Sequence, residues 1–102
     1  MTLVVQKYGG TSVADLDRIR NVAGRIKRHA EAGERVAVVV SAMAGTTNRL
    51  VGWVEGLDPA TYDTAEYDQV VSSGEQVTVG LLAIALQHIG VPARSFLGWQ
   101  AG

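Results

Sequence analysis

Lys7-Tyr8-Gly9-Gly10-Thr11-Ser12 joins a short apolar run, Leu3, Val4 and Val5, to the start of a helical pattern. A strand end feeding a helix start aims free backbone N–H groups and a positive helix terminus at one spot, and glycines let an anion approach without a Cβ in the way. Lys7 adds a full positive charge. The same residues also make an ordinary Gly-Gly turn beside a solvated lysine. No Gly-Lys-Ser/Thr follows, which excludes a Walker A loop, and the third glycine of a Rossmann fingerprint is missing.

Composition narrows the classes. The chain has 102 residues, 47% apolar and 19% charged, which describes one small globular domain with a single core. Nine basic and ten acidic side chains give a net charge of -1, against a nucleic-acid-binding surface, which carries a basic excess. Without cysteine there is no disulfide scaffold, thiolate nucleophile or Cys-ligated metal. Lys7 and the Gly pair interrupt the only N-terminal apolar run, so no signal peptide is expected. Residues 77–86 form the most apolar window, about half the ~20 residues of a membrane span. They read as a buried helix in a soluble, cytoplasmic protein with no membrane partner.

Along the chain, residues 3–6 read as a fully buried strand. A helix follows, capped by Thr11 or Ser12 with Asp15 as capping-box partner. Its apolar face is Leu16, Ile19, Ala23, Ile26 and Ala30, and Gly33 ends it. The unbroken run Val36-Ala37-Val38-Val39-Val40 fits a central parallel strand covered on both faces, which completes a right-handed βαβ unit. A short helix is expected over 49–55, a surface connection over 56–64, and helix over 65–89 with a kink or new start at Gly74. Gly90 and Pro92 stop it, and 93–97 reads as a third strand.

In an open parallel sheet, ligands gather at the carboxyl ends of the strands. Three small polar clusters lie there or nearby: Lys7-Tyr8-Gly9-Gly10, residues 41–48 (Ser-Ala-Met-Ala-Gly-Thr-Thr-Asn), and Ser72-Ser73-Gly74-Glu75. Hydroxyls and amides with little bulk suit phosphate oxygens or a small polar substrate; the plainer alternative is a turn with Thr46 or Thr47 as helix cap. Glu75 precedes an apolar helix, where a buried carboxylate needs a cationic partner, whether a side chain or a ligand ammonium. A first-turn glutamate favoured by the helix dipole is the alternative. His29 and His88 read as helix-end surface residues, and Trp53 and Trp99 as packing residues.

Four ordered motifs carry a resemblance: Lys7-Tyr8-Gly9-Gly10-Thr11-Ser12-Val13, residues 39–48, Ser73-Gly74-Glu75-Gln76, and Ser95-Phe96-Leu97-Gly98-Trp99-Gln100-Ala101-Gly102. Together they resemble the N-terminal part of the aspartate kinases. The resemblance implies a three-layer α/β/α parallel-sheet core, the amino acid kinase (carbamate kinase-like) fold, of which residues 1–102 are the N-terminal part. It implies ATP-dependent phosphorylation of the L-aspartate side-chain carboxylate, with ATP as co-substrate and Mg2+ carried by its phosphates rather than by protein ligands. By motif, Lys7 would be catalytic, stabilising charge on the transferring phosphoryl group. Tyr8, Gly9, Gly10 and Ser41 would join it at the ATP phosphates, and Ser41, Thr47 and Glu75 would hold aspartate.

Tyr8 stands where the family more often has phenylalanine, and Ala44 where it often has glycine or serine. The family continues beyond this length through a substrate-gripping arginine, an adenine-binding lobe and regulatory ACT domains. The chain is therefore expected to be a truncated form, inactive alone, that forms homo-oligomers or associates with further aspartokinase chains. The alternative is a non-catalytic phosphate-binding or self-associating α/β module.

Overall fold

The computed structural model describes residues 2–58, 60 and 63–96. Two parallel strands, β1 (Leu3–Tyr8) and β2 (Arg35–Val40), pair in register from Leu3 beside Arg35 to Tyr8 beside Val40. Between them runs α1 (Leu16–Glu31), and after them come α2 (Thr46–Leu57) and α3 (Thr64–His88). This is the expected strand-helix-strand unit, extended by two helices.

Helix α1 starts later than the sequence suggested. Residues Gly10–Val13 form a separate 3₁₀ turn, and Asp15 caps α1 by accepting from the Arg18 N–H at 2.8 Å. Ser12 does not cap it. Arg18 also donates to the Thr11 carbonyl at 2.6 Å, which ties the turn to the helix. At the other end Gly33 takes φ +85° and its N–H donates to Ala30, as expected of a helix-terminating glycine.

The core forms where α1 and α3 meet the sheet. Ile19, Val22, Ala23 and Ile26 of α1 pack with Leu82 and Leu86 of α3 and with Tyr8, Val13 and Val40. Leu16, expected on that face, is exposed. The reading of both strands as buried on two faces is corrected: exposure alternates along each, and Leu3, Val5 and Val39 lie open at 60%, 67% and 55%. Among the described residues, helices cover one face of the sheet.

Helix α3 runs unbroken for 25 residues, so Gly74 does not mark a new start. By length and composition it could cross a membrane, a possibility the 77–86 window had hidden. It packs on α1, α2 and β2 through Gly74, Thr78, Leu82 and Leu86, while Val77 and Ile84 face outward. Helix α2 exceeds the expected 49–55 at both ends because Gly45 and Asp58 bound it.

The third strand over 93–97 is not formed across Ala93–Phe96, and Leu97 lies outside the described residues. The Ala93 carbonyl accepts instead from the Gln87 side chain at 2.9 Å. Trp53, expected to pack, is exposed beneath the Arg49 guanidinium, 5.6 Å from the ring centre. Trp99 falls outside the described residues. His29 contacts Glu34 at 3.2 Å across the α1–β2 turn.

Candidate functional site

Parallel pairing brings the carboxyl ends of β1 and β2 side by side. The Ser41 N–H donates to the Tyr8 carbonyl at 3.0 Å, which continues the contact one residue past the strands. Lys7 pairs with Val39 on the open face, where its side chain is exposed. Ser41 follows directly on the end of β2 and is half-buried. Tyr8 points the other way, into the core, and its hydroxyl donates to Gln6 Oε1 at 2.8 Å.

Gly9 and Gly10 differ in surroundings. A Cβ on Gly9 would meet open space, whereas one on Gly10 would lie 2.9 Å from the Ala42 carbonyl oxygen and 3.4 Å from the Ala44 nitrogen. The Ala44 N–H donates to the Gly10 carbonyl at 3.2 Å, so the first loop is bonded to the second. The helix terminus expected directly after these glycines is only the four-residue 3₁₀ turn. Its field is correspondingly smaller than that of a long helix, because fewer peptide dipoles align.

The second loop turns into α2 through Gly45 at φ +84°, a conformation that costs a residue with a Cβ. No side chain caps α2, which removes the reading of Thr46 or Thr47 as hydroxyl caps. Thr47 instead stands exposed on the first turn.

The third segment reaches this loop through Gly74, which is buried against it. A Cβ there would lie 2.9 Å from the Ala42 methyl, 3.1 Å from Thr46 Cγ2 and 3.4 Å from Leu50 Cδ1. Ser72 and Ser73 spend their hydroxyls on the carbonyls of Gln69 and Val70, within their own helix. Glu75 is exposed and eleven positions past the start of α3 at Thr64, so it is neither a costly buried charge nor a first-turn residue. A carboxylate in water needs no ligand to justify it.

The three segments thus meet through Tyr8, Gly10, Ser41, Ala42, Ala44, Thr46 and Gly74. Ala42 belongs to the 41–48 cluster but was not among the candidate site residues, its signal being only smallness in a loop of small residues. Two hollows elsewhere are largely apolar, one between α1 and α3 around Leu16, Leu81 and Ile84, the other beside β2 around Val36, Val38 and Ala93. Neither includes Lys7, Gly10, Ser41 or Glu75.

A parallel βαβ unit with a Lys-Tyr-Gly-Gly loop bonded to a Ser-Ala-Met-Ala-Gly loop has clear counterparts. Residues 2–102 match the amino acid kinase family, and the chain belongs to that family. Within it the similarity is to aspartate kinases. The chain is 51% identical to an aspartokinase of Rickettsia conorii, over 98% of this chain and 25% of the relative. It is 49% identical to an aspartokinase of Thermus thermophilus, over 100% of this chain and 25% of the relative. The crystal structure of an aspartate kinase from Synechocystis matches it with a TM-score of 0.88 and 46% identity, over 91% of this chain and 16% of that one. The chain therefore spans about a quarter of the length of these curated relatives.

Proposed function

We propose that this chain supplies the phosphate-facing and part of the acceptor-facing side of an aspartate kinase site. The reaction is transfer of the γ-phosphoryl group of ATP to the side-chain carboxylate of L-aspartate, giving 4-phospho-aspartate. Phosphoryl transfer needs positioning and charge neutralisation more than a covalent nucleophile. Lys7 would neutralise charge on the moving phosphoryl group, and the backbone of Tyr8, Gly9 and Gly10 would face the ATP phosphates. The Ser41 hydroxyl would sit between donor and acceptor. Thr47 and Glu75 would hold aspartate, with Glu75 accepting from its ammonium.

The reading is carried by one observation: the two loops that follow neighbouring strands are bonded to each other, and α3 packs on the second of them. Among the described residues no group of three or more His, Asp or Glu side chains is placed to hold a metal. On the family resemblance, Mg2+ would arrive with the nucleotide phosphates. On this reading the enzyme is cytoplasmic, forms homo-oligomers or associates with further aspartokinase chains, and opens the synthesis of lysine, threonine, methionine and diaminopimelate.

The test is an ATP and L-aspartate assay on the polypeptide extended to the length of its relatives, comparing Lys7→Ala with the parent. Loss of a charge contact made in the transition state should lower the rate by about 10² or more. A rate within a few-fold of the parent removes Lys7 from the chemistry.

A further inference from the structure

Glycine in the middle of a helix is unfavourable compared with alanine, because it costs more backbone entropy. Gly74 occupies such a position in α3, and it is buried. Packing explains the choice: an added Cβ would stand 2.9 Å from the Ala42 methyl and 3.1 Å from Thr46 Cγ2. An alanine methyl has no rotamer by which to withdraw, and the Thr46 side chain is stiff at χ1. The contact can relax only by moving α3 or the loop.

On its other side the same Ala42 meets Gly10, whose added Cβ would stand 2.9 Å from the Ala42 carbonyl oxygen. Ala42 itself is buried. One residue thus separates the glycine loop after β1 from the turn of α3 that carries Glu75. The Thr78 hydroxyl donates to the Gly74 carbonyl at 3.1 Å, which satisfies the buried polar group beneath this contact.

We propose that Ala42 is a positioning residue, a spacer whose carbonyl seats Gly10 and whose methyl seats Gly74, so that its size sets the distance between the phosphate loop and Glu75. The proposal rests on the reading of Lys7, Gly10 and Glu75 given above. Close-packed contacts of this kind transmit displacement rather than absorb it. Enlarging position 74 should move Glu75 relative to the phosphate loop, and shrinking position 42 should move it back.

The test is a size exchange, Gly74→Ala alone and Gly74→Ala with Ala42→Gly. In 15N-correlated NMR spectra of this chain, Gly74→Ala should shift the amide peaks of Gly10 and Ala44, and the paired variant should return them. In the polypeptide extended to the length of its relatives, Gly74→Ala should lower kcat about 10-fold to 10²-fold, as misplacement near 1 Å does. The KM for aspartate should rise by more than that for ATP, since Glu75 is carried on the displaced helix whereas Gly10 feels the change only through Ala42. Ala42→Gly should restore the larger part of both losses, the remainder reflecting the 3.1 Å approach to Thr46 Cγ2 that it leaves in place.

A mere loss of folded protein would lower the rate without splitting the two KM values. Shifts confined to the neighbourhood of residue 74, or no rescue in the paired variant, overturn the proposal. If Gly74→Ala does not fold, the paired variant decides: native Gly10 peaks support the spacer, and an unfolded or displaced spectrum refutes it. A parent polypeptide with no aspartate-dependent turnover counts against the proposed function instead, and the NMR comparison still stands.

Discussion

The two faces of the small sheet share strands and much the same chemistry, yet differ in surroundings. Val4, Gln6, Tyr8, Val36, Val38 and Val40 point toward the helices and are buried or half-buried, whereas Leu3, Val5, Lys7, Ala37 and Val39 point away and are exposed. Parallel strands are ordinarily covered on both sides. Apolar character alone therefore says that a face suits burial; whether it is buried depends on what packs there. The candidate lysine belongs to the open face, at the end of an apolar strip.

The largest test of this contrast lies on the covered side. Ile19 is 2% exposed at the centre of the core, and Ile19→Ala should lower the unfolding free energy by about 2 to 5 kcal/mol in a urea titration. That is a large share of the ~5 to 15 kcal/mol that holds a domain together. A loss below about 1 kcal/mol would mean that this core is no tighter than the open face.

Next in size is the cap that orients α1 against the covered face. Asp15→Ala removes the side-chain acceptor for the Arg18 N–H and should cost about 1 kcal/mol by the same titration. Retained stability would mean that the 3₁₀ turn and the Arg18 contact to Thr11 suffice to start the helix. Val5→Thr, on the open face, should change stability by less than about 0.5 kcal/mol. A clearly larger effect would show that the face is covered in solution.

Much of this organisation was legible in the residues. The spacing of Ile19, Ala23 and Ile26 marked a helix because three- and four-residue steps fall on one side of a 3.6-residue period. The Val36 to Val40 run marked a strand, and Gly33 marked a helix end. The loops flanking Gly10 and Gly45 were visible as ligand-sized polar breaks at strand ends. The start of α1 was misjudged because Ser12 and Asp15 are both good caps, and the short turn before the helix settles the choice in favour of Asp15. The strand expected at 93–97 needed a neighbouring ladder, and a sequence cannot say whether one will be present. Gly74 read as a break because its packing partners lie about thirty residues earlier.

By itself, the sequence determined the alternation of strands and helices, the small polar residues at the strand ends, and the family to which the chain belongs. These follow from local periodicity, turn chemistry and short motifs. The tertiary structure alone decided that Glu75 is solvated, that Tyr8 turns into the core, and that Ala42 lies between Gly10 and Gly74. Such outcomes depend on distances between segments far apart along the chain, which are fixed only when side chains close-pack.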